Sequence, residues 1–302
     1  MQIHAEHVRK AYGSVTALDG LSLEIPAGST FGVLGTNGAG KTTLFKLLVG
    51  LDRPDAGRLT IGDRDVADAG VELRERVGYL PEHVGFPPAL TGREVLAFHA
   101  RMRGLPTDGR IDEAIEMVGL SASEADRAVS GYSNGMRRRL GLAAAVLPRP
   151  SVLVLDEPTA GLDPRGVAEF HGIVDRVRTE TGATVVLSSH VLSEIERLCD
   201  RVALFDRGRV LAEGTVADLV DTDEVTVRVR PADAAEVDYV VATAAEFGSA
   251  SATAGTVTVR CPAGDVPALF AELEPGVDLA DVTVERDGLD AAFHSALAEV
   301  DA

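Results

Sequence analysis

The run Gly35-Thr36-Asn37-Gly38-Ala39-Gly40-Lys41-Thr42 has the spacing of a loop that holds a phosphate chain. Glycines let successive backbone N–H groups turn inward, and a helix starting directly behind the loop adds positive potential. An apolar run, Thr30–Leu34, precedes the loop, and a helical pattern over Lys41–Val49 follows it. In that setting the Lys41 ammonium is expected to reach the β- and γ-phosphates. The Thr42 hydroxyl is expected to ligate Mg²⁺, with Thr43 next in line. A second constellation lies at the end of another apolar run, where Val152-Leu153-Val154-Leu155 leads into Asp156 and Glu157. A buried strand delivers its last residues to the carboxyl edge of a sheet, where ligands bind in α/β folds. Asp156 is then expected to hold Mg²⁺ through water, and Glu157 to polarise an attacking water. The chemistry implied is hydrolysis of a phosphoanhydride.

The elements that must position these groups follow from hydropathy. Short β-rich runs (Thr30–Leu34, Ser151–Leu155, Ala183–Ser189) alternate with helical patterns, which predicts an α/β domain with a mostly parallel sheet. From about residue 83 to 149 the pattern turns helical, with Gly92–Arg103, Arg110–Val118 and Met136–Val146 as candidate helices. This reads as a helical insertion into the sheet domain. Arg201–Phe205 and Arg209–Glu213 read as late strands around Arg207–Gly208.

Charge divides the chain. Residues 1–220 carry 25 basic and 30 acidic side chains, whereas residues 221–302 carry 4 and 17, so a domain boundary is placed between them. The tail reads as a small α+β unit. Glu224–Arg230 and Thr256–Cys261 alternate as strands, Ala232–Phe247 and the stretch near Val266–Leu273 read as helices, and Val282–Glu285 and a helix Leu289–Val300 close it.

The net charge of −18 over 302 residues argues against non-specific binding to nucleic acid or anionic lipid. No apolar run approaches the length of about 18 residues that a spanning helix needs. The sequence begins without an apolar leader, so a cytoplasmic location is expected. Two cysteines, Cys199 and Cys261, fit a reducing compartment. The only lysines are Lys10, Lys41 and Lys46, and aspartates outnumber glutamates; with 4% aromatics this composition suggests a cytosol of molar salt, as in a halophile.

The phosphate loop and acidic strand end alone indicate a P-loop NTPase. Further motifs, in order, narrow the resemblance. Tyr132-Ser133-Asn134-Gly135-Met136 resembles the signature motif of ATP-binding-cassette (ABC) proteins. Pro158-Thr159-Ala160-Gly161-Leu162-Asp163 resembles the family's D-loop, Ser188-Ser189-His190 its switch histidine, and Gly78-Tyr79-Leu80-Pro81-Glu82 its Q-loop. Tyr12 stands where the family stacks an aromatic ring on adenine. The resemblance covers residues 1–220. It implies an ATP- and Mg²⁺-dependent hydrolase in which Ser133 and Gly135 cap the γ-phosphate of ATP held by a second copy. Asp163 would then lie at the seam, and His190 would contact the γ-phosphate. Two residues depart from the pattern: Thr36 replaces a common proline, and Glu82 replaces glutamine, adding negative charge near the phosphates while still offering an oxygen to Mg²⁺.

Arg137, Arg138 and Arg139 read as helix-surface residues pairing with carboxylates rather than as a nucleic-acid patch. One cassette, no long coiled coil and an acidic surface favour a transporter ATPase with integral membrane permease subunits on separate chains. The C-terminal extension is similar to tails of ATPases serving ABC-2-type exporters. Such a subunit would lie peripherally on the inner face of the membrane. A finer likeness, carried by Tyr79–Glu82, Phe86-Pro87 and Leu90–Glu94, is to the ATPase of copper-site maturation in nitrous oxide reductase. The alternative reading is a soluble ABC-type assembly or regulatory ATPase. The apolar stretch Phe86–Leu90 is the expected lip of the groove that meets the membrane subunit.

Overall fold

The computed structural model describes residues 1–68, 70–220, 224–273, 276–286 and 288–289. It divides into two compact units, Met1–Val216 and Ala217–Ala302.

In the first unit, β1 (Ile3–Tyr12) and β2 (Val15–Ile25) form a hairpin, followed by β3 (Thr30–Gly35), α1 (Lys41–Leu48), β4 (Ala56–Ile61) and the short β5 (Arg64–Asp65). Next come α2 (Gly70–Arg76) and β6 (Val77–Leu80), then four helices: α3 (Gly92–Met102), α4 (Arg110–Met117), α5 (Ala122–Ala125) and α6 (Asn134–Val146). The chain returns through β7 (Val152–Leu155), α7 (Pro164–Thr181), β8 (Thr184–Ser188), α8 (Leu192–Leu198), β9 (Arg201–Asp206) and β10 (Arg209–Thr215), and α9 (Val216–Val220) begins at the boundary of the two units.

The strands form two sheets. One has the order β10-β9-β3-β8-β7-β6 and is parallel except for β10. Its inner strands are apolar on both faces: every residue of β7 and β8 is buried. The other, β2-β1-β4-β5, is antiparallel and was not expected from the sequence. Helix α1 touches β2 and β3, and its Leu44, Phe45, Leu47 and Leu48 enter a core shared with Val8, Leu21, Leu59, Phe31 and Phe205. Burying such a row of Leu and Phe side chains contributes about 1.5–3 kcal/mol each before the entropy of ordering is subtracted.

The helical insertion lies between β6 and β7. Two of its helices start on capping boxes, Thr91 with Glu94 and Ser121 with Glu124, in which side chain and backbone satisfy each other's free N–H groups. Helix α7 begins with Asp163 as its cap and Pro164 in its first turn, and ends at Gly182, whose φ of 65° lies in the left-handed region.

The second unit runs β11 (Glu224–Pro231), α10 (Val237–Ala244), β12 (Ser249–Thr253), β13 (Thr256–Pro262), α11 (Val266–Leu273) and β14 (Leu279–Arg286). Its antiparallel sheet has the order β12-β13-β11-β14, a β-α-β-β-α-β unit of the ferredoxin-like type. Alternate valines of β11 and β13 (Val225, Val227, Val229, Val257, Val259) pack with Val240, Ala244, Leu269 and Leu273. The helix expected over Ala232–Phe247 is shorter. Asp233 accepts from the Ala235 N–H and opens a 3₁₀ turn, Ala234–Glu236, so the α-helix starts only at Val237. The expected helix Leu289–Val300 lies outside the described residues beyond Leu289.

Candidate active site

The carboxyl ends of β3, β7 and β8 converge on one cleft. It encloses about 570 Å³ and is lined by Val15, Thr16, Ala17, the loop from Thr36 to Thr43, Glu82, Asp156, Glu157, Ala160 and His190. The loop geometry requires its glycines. Gly38 and Gly40 have φ of 85° and 106°, and a Cβ on Gly40 would lie 2.6 Å from the Ala17 carbonyl. Gly40 directly precedes α1, so the loop N–H groups and the free N–H groups of the helix share one end of the cleft. Lys41 is buried, and its Nζ donates to the carbonyls of Gly35 (2.7 Å) and Thr36 (3.3 Å). The ammonium is thereby pinned over the loop.

At the end of β7, Asp156 is 4% exposed. Burial raises its pKa first; the Ser188 hydroxyl opposes this, and the charges of Glu157 and Glu82 add to it. Ser188 Oγ donates to Asp156 Oδ1 (2.8 Å) and accepts from the Glu157 N–H (2.9 Å). Glu157 has φ 44°, a left-handed conformation that costs a non-glycine residue on the order of 1–3 kcal/mol. The turn aims its carboxylate at His190, with Oε2 2.7 Å from Nδ1. The arrangement combines a phosphate-binding loop with a lysine, hard oxygen donors and a carboxylate–imidazole pair. It can neutralise a phosphate chain and orient a water.

Other sequence candidates lie elsewhere. Tyr12 is 44% exposed and does not line the cleft; its hydroxyl donates to Asp52 (2.7 Å), and Lys10 Nζ sits 5.4 Å from its ring centroid. Lys10, then Tyr12, hold the Asp52 carboxyl down to about 2. Ser133 caps α6 by accepting from the Met136 N–H (3.2 Å), and Gly135 lies in the first turn of that helix. Neither lines the cleft formed by Lys41 and Glu157. Asp163 caps α7 by accepting from the Gly166 N–H (2.7 Å).

The reading of the three arginines as surface residues is corrected at Arg138. Among the described residues, Arg139 is the one of the three that pairs with a carboxylate, Glu169, at 2.5 Å. Arg138 is 7% exposed and donates to four backbone carbonyls. A charge run on a helix gives no hint of which member turns inward. Ser188, read only as part of the switch motif, also bridges Asp156 and the Glu157 N–H. Beside it, Ser189 Oγ (3.1 Å) and Thr159 Oγ1 (2.5 Å) both donate to the buried Glu194. A serine pair ending an apolar strand beside a carboxylate pair was the available signal. Ser188→Ala leaves the Glu157 N–H and Asp156 each short of a partner. Phosphate release per active site is expected to fall about tenfold with ADP affinity nearly unchanged; an unaltered rate would remove Ser188 from the site.

This fold and cleft define a P-loop ATPase with a helical insertion between the strands that carry Glu82 and Asp156. A family model described as "ABC transporter" matches residues 18–160. The chain is 40% identical to the daunorubicin resistance ATP-binding protein DrrA3 of Streptomyces coeruleorubidus, over 96% of this chain and 94% of that protein. It is also 40% identical to the bacitracin transport ATP-binding protein BcrA of Bacillus licheniformis, over 70% of this chain and 69% of the relative. Among solved structures, cbiO1 of Clostridium perfringens, part of the ABC transporter complex cbiONQ, superposes with a TM-score of 0.66 at 28% identity, over 72% of this chain and 89% of that one. The chain belongs to the ABC transporter family and is an ATP-binding, ATP-hydrolysing protein of it. The finer likeness to the ATPase of nitrous oxide reductase maturation is not supported; these relatives are named for drug resistance and antibiotic transport.

Proposed function

We propose that this chain powers an ABC-2-type exporter whose membrane-spanning subunits are separate chains. The observation that carries the reading is the division of the motifs. Lys41, Thr42, Glu82, Asp156, Glu157 and His190 share one cleft, while Ser133 and Gly135 lie outside it. Half a nucleotide site thus faces one way and the other half is presented elsewhere, as a head-to-tail pair of copies requires. ATP would be clasped between the Lys41 loop of one copy and the Ser133 helix end of the other. The match to DrrA3 over 96% of the chain supports the exporter assignment, since it takes in the acidic second unit as well.

Within each cleft, Glu157 draws a proton from the attacking water and His190 holds that water and the γ-phosphate in line. Lys41 spreads positive charge over the departing phosphates. The oxygens of Thr42, Asp156 and Glu82 suit a hard divalent cation, and the mutual repulsion of the carboxylates makes one favourable. Mg²⁺ held there would supply charge neutralisation to the β- and γ-phosphates. Tyr12 is the candidate to face adenine, with its ring fixed through Asp52.

Coupling to the membrane subunit is assigned to the helical insertion. Phe98 and Met102 on α3 are 55% and 72% exposed, and Phe86 stacks edge-on against His99 of the same helix. Among the described residues no helix is long and apolar enough to cross a membrane, which suits a subunit held peripherally on the inner face. The acidic surface supports a cytosol rich in salt. A tagged chain purified from detergent-solubilised membranes is expected to bring down a polytopic membrane protein. Recovery of soluble partners alone would favour the assembly-ATPase reading.

A further inference from the structure

Arg138 lies in the second turn of α6, the helix that Ser133 caps. Both terminal nitrogens of its guanidinium donate to backbone. Nη1 donates to the carbonyls of Pro81 (3.0 Å) and Glu82 (2.6 Å), and Nη2 to those of Glu157 (3.1 Å) and Ala160 (3.4 Å). These acceptors belong to three separate segments: the end of β6 that carries Glu82, the turn that carries Glu157, and the loop that leads to Asp163. A planar fork with two separate N–H₂ arms can span two pairs of carbonyls on different segments at once, whereas a compact ammonium reaches one such pair. The fork therefore ties the helix bearing Ser133 and Gly135 to the peptide that follows Glu157. That peptide belongs to the residue held at φ 44°, so its orientation sets the direction of the Glu157 carboxylate. It also orients the loop at Ala160, one of the residues lining the cleft.

We propose that Arg138 is a positioning residue: it registers the Glu82 segment, the Glu157 turn and the Ser133 helix against one another, so that a shift of the helical insertion re-aims the hydrolytic carboxylate. Arg138 is not among the residues that line the cleft. It acts through the Glu157 backbone, and this rests on the reading of Glu157 as the residue that polarises water. In a pair of copies, movement of one chain's Ser133 helix, driven by the partner's nucleotide, would reach its own Glu157 through this fork.

The experiment uses the full chain with Arg138→Lys and Arg138→Met. Four quantities are measured: phosphate release per ADP-binding site, KM for ATP, Kd for ADP and the melting temperature. Lysine keeps the charge and the apolar stem but reaches only one pair of carbonyls. Arg138→Lys is expected to melt like the parent and keep KM and ADP affinity within about twofold, while kcat per site falls at least tenfold, a loss of about 1.4 kcal/mol in transition-state stabilisation. Arg138→Met is expected to lose about a hundredfold on the same readout. Should the Met variant fail to fold, the Lys variant decides alone. Full kcat in Arg138→Lys, or a loss matched by equal weakening of ADP binding, overturns the proposal. Glu157→Gln run alongside separates the two readings. A Gln variant with intact turnover sinks the role of Glu157, whereas a dead Gln variant beside a fully active Lys variant sinks only that of Arg138.

Discussion

Glu157→Gln is expected to bind ATP as tightly as the parent chain and to hydrolyse it roughly 10²–10⁴ times more slowly, the range associated with loss of a positioned general base. The substitution is nearly isosteric. Its backbone N–H still donates to Ser188, and its carbonyl still accepts from Arg138, so the turn at φ 44° persists. The side-chain amide still reaches the His190 ring, which the carboxylate meets at 2.7 Å. Only the charge proposed to draw a proton from water is lost. In the proposed site, binding depends on Lys41, the loop N–H groups and the start of α1, all of which the change leaves in place. Because hydrolysis is what releases a clasped nucleotide, the variant should also accumulate as an ATP-dependent dimer. Light scattering with and without ATP reads this directly, and phosphate release reads the rate. A variant that turns over at even a third of the parental rate would show that another group activates the water.

The candidate site was legible in the sequence because the residues that line its cleft come largely from contiguous runs. The loop from Gly35 to Thr42 and the pair Asp156–Glu157 each sit at the end of an apolar strand, and strand ends on one parallel sheet meet at one edge. Three predicted helices, Gly92–Arg103, Arg110–Val118 and Met136–Val146, lie within two residues of α3, α4 and α6. Missing was whatever depends on partners remote in sequence. The sheet of β1, β2, β4 and β5 is exposed on one side and interrupted by shifts of register, which blurs its alternation of apolar and polar residues. Edge strand β12 is built of serine, alanine and threonine; Ala250 packs against the core, but its side chain is too small to give a strong apolar stripe. Arg138 and Ser188 act on backbone groups 19 to 57 positions away, and no local pattern encodes such contacts. The shift of charge near residue 220, by contrast, reflects composition alone, and the compact units part close to it, at Val216.

Lys41→Ala should give the opposite signature to Glu157→Gln, with loss of both nucleotide binding and turnover. At saturating ligand, about a hundred times Kd, ATP is expected to stabilise the parent by about 2.7 kcal/mol. For a unit of this size that corresponds to a rise in melting temperature of roughly 5–10 °C. In Lys41→Ala the rise should vanish, and turnover should fall at least as far as the roughly 10²–10³ seen when one preorganised donor is removed from a charge-stabilising site. The nucleotide-free protein should melt slightly lower as well, because Lys41 Nζ also ties the Gly35 and Thr36 carbonyls together. Those carbonyls lie in a half-open cleft, and water can replace the ammonium there at small cost. Lys41→Arg is not expected to rescue binding, since a planar fork cannot place one compact charge over both carbonyls and the phosphates. A thermal shift by ATP that survived in Lys41→Ala would mean that the loop N–H groups and the α1 terminus alone hold the phosphates. The lysine would then belong to catalysis rather than to binding.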